Sequence, residues 1–239
     1  MESVAFPVLV FTAPRDLPEE RLRTLQATLS LDEERRAASI RIERVRRRFI
    51  AARGTLRAVL AREVGAPAGS LRFVAGPLGK PSLDFPRVDP PIELNLSHSE
   101  DLFIVAVARG HAVGVDVEVI RPDVDVAGLA ARFFSPGERD RLLALDPADH
   151  RRAFFTCWTR KEAYIKARGE GLAIALDRFD VAFGPGEPPA LLADRADPGA
   201  PGEWTILDLP LFPNASAAIA VRTGADFVPR IRVAGAQGF

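Results

Sequence analysis

Two carboxylates set two residues apart, in Gly114-Val115-Asp116-Val117-Glu118-Val119-Ile120, are the first side chains whose type and spacing suit chemistry. The segment reads as a strand, so alternate side chains leave on opposite faces. Val115, Val117 and Val119 share one face. Asp116 and Glu118 share the other, about 6.5–7 Å apart along the strand. Two like charges side by side in apolar surroundings repel and lose hydration. A hard divalent cation removes both penalties, because Mg²⁺ takes carboxylate oxygens and completes its shell with water and substrate phosphate. The plainer alternative is a strand face open to solvent.

A second acid lies on a helix. Residues 153–166 (AFFTCWTRKEAYIK) have helical periodicity, with Phe154, Phe155, Trp158 and Ile165 in one sector. Glu162 falls inside that sector, and Lys166 lies one turn on. A glutamate among aromatics is costly unless a cation pairs with it. An ordinary i,i+4 pair with Lys166 is one solution. The other is a shared cation: Asp116, Glu118 and Glu162 supply oxygen donors for a magnesium that also holds a diphosphate. Lys166 then neutralises charge on a phosphate or leaving group.

Asn95-Leu96-Ser97-His98-Ser99 ends a strand at a turn, where Ser97 and His98 are plausible phosphate donors. Gly79-Lys80-Pro81 fixes the direction of a lysine between a flexible and a rigid residue. An arginine-rich stretch runs from Arg35 to Arg62. It reads as a solvated helix face, as a nucleic-acid surface, or as a clamp in which Arg48 and Arg53 take a peripheral phosphate. A stacking platform for bases is missing, since Phe49 is the one aromatic there.

Positioning these residues falls to a chain of 239 residues, 47% apolar, enough for one large core or two small ones. Lys plus Arg equals Asp plus Glu, so an anionic ligand must be held by a local patch; no nucleic-acid or membrane partner is implied. One cysteine excludes an intrachain disulfide framework, and no leader or long apolar run is evident, so the expected address is cytoplasmic. Strands are predicted at 3–12, 92–96, 102–108, 113–120, 178–183, 203–209 and 215–222. Helices are predicted over 19–63, 124–133, 136–145 and 148–168. The 109–111 turn (Arg-Gly-His) is expected to close a hairpin between 102–108 and 113–120. No repeat at a fixed period is evident. The irregular alternation predicts an α+β fold.

Taken together, these elements resemble the larger single-chain 4′-phosphopantetheinyl transferases, the Sfp-like group. Residues 113–118 (VGVDVE) resemble their first signature. Residues 155–166 (FTCWTRKEAYIK), followed by Gly169-Glu170-Gly171-Leu172, resemble their second. The Asn95–Ser99 and Gly79-Lys80-Pro81 elements occur in the matching order, as does Phe133-Phe134-Ser135 with Glu138. The resemblance implies two similar α+β halves related by a pseudo-twofold axis, 1–111 and 112–239, with coenzyme A in the cleft between them. It implies Asp116, Glu118 and Glu162 as Mg²⁺ ligands and Lys166 near the phosphates. Ser97 and His98 would contact phosphate groups, with Lys80 and Arg53 at the adenosine 3′-phosphate. The implied reaction moves phosphopantetheine from coenzyme A to a serine of an acyl or peptidyl carrier protein, releasing 3′,5′-ADP, in a monomeric enzyme. Two rival readings stay open: a metal-dependent phosphohydrolase in which water replaces the serine, and a non-catalytic nucleotide- or RNA-binding module whose binding is salt-sensitive and indifferent to Asp116→Ala.

Overall fold

The computed structural model describes residues 7–14, 16–76, 80–169, 174–224 and 229–235. The chain opens with β1 (Pro7–Pro14), α1 (Glu19–Gln26), α2 (Leu31–Ser39) and α3 (Glu43–Val64). Next come β2 (Arg72–Ala75), β3 (Pro81–Phe85), β4 (Ile92–Ser99) and β5 (Leu102–Arg109). The second part runs β6 (Val113–Val119), α4 (Val126–Phe133), α5 (Pro136–Leu143), α6 (His150–Arg168), β7 (Phe179–Val181), β8 (Leu191–Asp194), α7 (Ala200–Glu203), β9 (Trp204–Asp208) and β10 (Ala215–Arg222). A last strand, β11 (Arg230–Gly235), returns to pair in parallel with β1. No helix among the described residues is long and apolar enough to cross a membrane.

One sheet has the order β11-β1-β5-β4 and the other β6-β10-β9. The order β1-β5-β4 is thus repeated as β6-β10-β9, each with a long helix following its first strand and a small hairpin (β2-β3 or β7-β8) after that helix. The α+β expectation agrees with this architecture. The facing sides of the two sheets bury a valine-rich layer that includes Val8, Val10, Val115, Val117 and Ile219. Burying such side chains stabilises by about 1.5–3 kcal/mol each.

The repeat, which no fixed period in the sequence announces and only the resemblance implied, extends to side chains. Ser30 and Glu33 form a capping box at the start of α2, as Ser135 and Glu138 do at α5. Each glutamate then reaches a buried cation on the next long helix: Glu33 pairs with Arg57, Glu138 with Lys161. Both cations also donate to main-chain carbonyls in the connection that follows, Ala68 and Leu71 for Arg57, Leu176 and Phe179 for Lys161. Both lie over aromatic rings, Phe73 and Phe179. The two helices end alike, at Gly65 (φ 67°) and Gly169 (φ 72°), where a left-handed residue closes the last turn. The pairs survive as a pattern of roles filled by different residues, which hides them from a search for identical letters.

Two other expectations change. The helical stretch 19–63 is three helices, because the Ser30 capping box starts α2 afresh and Ile40 and Ile42 adopt extended backbone between α2 and α3. The hairpin joins β4 to β5, not β5 to β6, and turns at Glu100, which takes φ 48°. Residues 109–112 carry the chain from one sheet to the other. β6 pairs with β10 and meets β4 through side chains instead of a ladder: Asn95 Oδ1, Ser97 Oγ and Ser99 Oγ accept the N–H groups of Val115, Val117 and Val119.

β6 also lies hard against α6. A Cβ built on Gly114 would stand 2.2 Å from both Ala163 O and Ala167 N, main-chain atoms that cannot rotate away. Gly114→Ala is therefore expected to cost about 2–3 kcal/mol, an overpacking penalty, and to lower Tm by roughly 5–10 °C. Thermal denaturation followed by circular dichroism checks it; an unchanged Tm would contradict the close approach.

Candidate functional site

Strand β6 projects Asp116 and Glu118 away from the valine layer, towards β4 and α6. Asp116 is buried, and its Oδ1 accepts from Ser97 Oγ at 2.7 Å and from Lys166 Nζ at 2.5 Å. Its Oδ2 is buried with no hydrogen-bond partner, a rare and costly state for a carboxylate oxygen. Half-buried Glu118 accepts from Ser99 Oγ at 2.7 Å. Lys166 Nζ also donates to Ser97 Oγ at 3.1 Å, so the ammonium closes a ring of Ser97, Asp116 and itself.

Electrostatics tie Glu162 into the same cluster. Burial pushes its carboxyl up to about 7, the negative charges of Asp116 and Glu118 add to the rise, and Lys166 partly offsets it. Burial likewise raises Asp116, against the opposing pull of Lys166 and Ser97. Burial raises Glu118 too, with the Ser99 hydrogen bond opposing it and the Asp116 charge assisting. Four predicted residues, Asp116, Glu118, Glu162 and Lys166, therefore share one electrostatic neighbourhood. Lys166 pairs with Asp116 across elements, so the simple Glu162–Lys166 helix pair is not its main contact. As the side chains stand, no three His, Cys, Asp or Glu among the described residues are drawn together tightly enough to hold a metal ion. The donor set nonetheless fits a hard cation: three carboxylates face one ammonium, and one buried oxygen has no donor.

Beside this cluster, with β4 as the shared wall, lies a cavity of about 720 Å³. Arg36, Arg48, Arg53 and His98 line it together with apolar side chains that include Phe49 and Phe73, and no acid among the described residues does. Arg53 lies over the Phe73 ring, 5.2 Å from its centroid, and Glu33 holds its guanidinium by two hydrogen bonds. Arg48 is held by Asp16 and Asp101. The equivalent hollow of the second half, about 470 Å³ between α6 and the 183–189 loop, is different in charge: Asp149, Glu187 and Asp208 oppose Arg152 and Arg160. The two halves thus carry one hollow lined by arginines and one of mixed charge.

Some predicted residues also make contacts within the chain. Ser97 points its hydroxyl at Asp116 rather than into the cavity, because it is clamped between Val117 N–H, Lys166 and that carboxylate. Lys80 Nζ donates to the carbonyls of Val113 and Ala167, each at 3.3 Å, and lies 3.8 Å from Glu93. Burial lowers its pKa, with Glu93 opposing. It ties the connection before β3 to β6 and to the end of α6. Pro81 lines the cavity, and Gly79 lies outside the described residues, as do Glu170, Gly171 and Leu172. Arg44, Arg46, Arg47, Arg48, Arg53 and Arg57 are each paired with an acid, as expected of a solvated helix face with matched charge. Sequence reasoning overlooked Arg36 as a wall of the cavity, and Asn95 and Ser99 as partners of β6. The period of two in Asn95-x-Ser97-x-Ser99, facing Gly114-x-Asp116-x-Glu118, was the available signal.

Comparison with known proteins bears on this site directly. Residues 112–221, which span β6, α6 and β10, match the sequence profile of the 4′-phosphopantetheinyl transferase superfamily. The chain is 39% identical over 214 residues to 4′-phosphopantetheinyl transferase HetI of a Nostoc species, a match covering 90% of this chain and 87% of that protein. It is 32% identical over 126 residues to 4′-phosphopantetheinyl transferase Sfp of Bacillus subtilis, covering 53% of this chain and 54% of that one. A distant likeness in solved structures is Thermotoga maritima holo-[acyl-carrier-protein] synthase, with 21% identity and a TM-score of 0.38 over 46% of this chain and 61% of that chain.

Proposed function

The chain belongs to the 4′-phosphopantetheinyl transferase superfamily, and from that premise we propose that it transfers the phosphopantetheine of coenzyme A to a serine of an acyl or peptidyl carrier protein, releasing 3′,5′-ADP. The observation that carries this reading is the adjacency of an arginine-lined cavity and a carboxylate cluster, with β4 as the wall between them. The cavity suits an adenosine that bears phosphate: guanidiniums for the charge, apolar and aromatic walls for the base. The mixed hollow of the second half does not, which supports one coenzyme A per chain, with its nucleotide end in the cavity of the first half, lined by residues between Arg36 and His98, and its diphosphate towards the acids of β6 and α6 in the half 112–239.

Asp116, Glu118 and Glu162 are the side chains that would hold Mg²⁺. When bound, the ion supplies charge neutralisation on the diphosphate. The protein's own groups do the rest. Lys166 offers a second positive charge to the phosphates once the diphosphate competes for it. His98, on the exposed face of β4, and Arg48 orient the nucleotide end. Glu162, directly or through a bound water, accepts the proton as the carrier serine oxygen bonds to the β-phosphorus and the diphosphate P–O bond breaks. Positioning and charge account for most of the acceleration in such transfers.

Mass spectrometry of an apo-carrier protein after incubation with coenzyme A and Mg²⁺ tests the reading. A serine-linked phosphopantetheine is expected, with coenzyme A left intact when the carrier is omitted. Breakdown of coenzyme A without carrier would replace the proposal with the phosphohydrolase reading.

A further inference from the structure

We propose that Ser97 and Ser99 are positioning residues of the acidic site, each aiming one carboxylate, and that their hydroxyls couple the site to the seam between the two sheets. The inference rests on the reading of Asp116 and Glu118 as Mg²⁺ ligands.

The two serines make the same arrangement two residues apart. Ser97 Oγ accepts from Val117 N–H at 3.4 Å and donates to Asp116 Oδ1 at 2.7 Å. Ser99 Oγ accepts from Val119 N–H at 3.1 Å and donates to Glu118 Oε2 at 2.7 Å. In both, the hydroxyl oxygen takes the N–H that follows an acid in β6, which leaves its single proton to that acid. One position earlier the pattern continues with a different residue. Asn95 Oδ1 accepts from Val115 N–H at 2.9 Å, and the β6 residue before Val115 is Gly114, which has no carboxylate. Serine stands opposite each acid, and an amide stands where there is none. A generic strand contact needs no such matching.

Matching of this kind has a chemical consequence. A donated hydroxyl fixes the rotamer of a carboxylate and occupies one lone pair, leaving the other oxygen for a different partner. At Asp116 it leaves Oδ2 bare. Hydrogen-bond partners behind a metal ligand are worth about 10–100-fold in metal affinity or activity. Because the same oxygens carry the seam between β4 and β6, the acids keep their aim only while the two sheets stay docked.

Ser99, half-buried at the end of β4, is the cleaner position to test. Ser99→Ala is expected to weaken Mn²⁺ binding, titrated by electron paramagnetic resonance on the free enzyme, by about tenfold. It should also lower kcat with the KM for coenzyme A little changed, and Ser99→Thr, which keeps the hydroxyl, should restore both. A Ser99→Ala variant that lowers Tm yet binds Mn²⁺ and turns over as the wild type does would overturn the assignment, as would failure of the threonine variant to recover. Should the wild type bind no Mn²⁺, the metal reading fails separately. The serine role then stands or falls on whether kcat drops in the alanine variant and returns in the threonine one.

Discussion

On the proposed reading Glu162→Gln is expected to cut phosphopantetheine transfer by at least about 10²-fold while leaving the chain folded, because it would remove a cation ligand and the proton acceptor together. Initial rates with saturating coenzyme A and carrier measure the loss; near-wild-type turnover would show that the carboxylate is a bystander. The pH behaviour follows from the same group. Its carboxyl, ordinarily near 4.5, stands at about 7 in the metal-free protein. Between those values the native chain holds a proton that the unfolded chain has lost. The stability this contributes is fully present below the unfolded pKa and fades as pH rises through about 7. Above that pH the metal-free enzyme carries a crowded, partly desolvated negative charge, so Glu162→Gln is expected to raise Tm at pH 8 in the absence of divalent cations. At limiting Mg²⁺ the wild-type rate should climb as pH rises through 7, with proton release accompanying metal binding. A variant both more stable without metal and nearly inert identifies a residue kept for chemistry at the expense of packing.

Glu138→Ala should damage stability most, by about 3–5 kcal/mol, with a Tm lower by roughly 10–15 °C. Glu138 and Lys161 are both buried, 2.8 Å apart, and the glutamate also accepts from Val181 N–H and from its own capping-box partner Ser135. Removing it strands an ammonium in the core of the second half and takes away the Glu138 half of the α5 capping box, leaving Ser135 N–H without its acceptor. The double variant Glu138→Leu with Lys161→Met should recover much of the loss, since apolar isosteres often replace a buried pair at little cost. Calorimetric melting distinguishes these outcomes. Equal destabilisation of the single and double variants would locate the effect in the capping box rather than in the ion pair.

Local rules made part of this protein legible. Alternation in 113–119 put Asp116 and Glu118 on the face opposite the valines, and the structure keeps them there. The helical period of 153–166 put Glu162 and Lys166 a turn apart near those acids. What period arguments cannot supply is the choice of partner. Nothing within 102–120 says that β6 pairs with β10, almost a hundred residues on, rather than with the adjacent β5. Helix α6 misled for a related reason. Lys161 and Arg160 are as buried as its aromatics, because carbonyls and carboxylates from β7, β9 and α5 meet them. A polar residue whose partner lies elsewhere in the chain reads as surface. At the site, Lys80 meets carbonyls and Ser97 a carboxylate, tertiary contacts that residue type alone did not announce.

The parallel pairing of β1 with β11 sets how the molecule bears load. Pro7 sits beside Arg230 and Thr12 beside Gly235, so the start of the first strand and the end of the last lie at opposite ends of one ribbon. Tension applied through the two ends of the chain would slide these strands past one another and strain every bond between them at once. An antiparallel pair would peel open one bond at a time. The enzyme's two halves are thus buckled by a shear clasp, and mechanical rupture has to begin there.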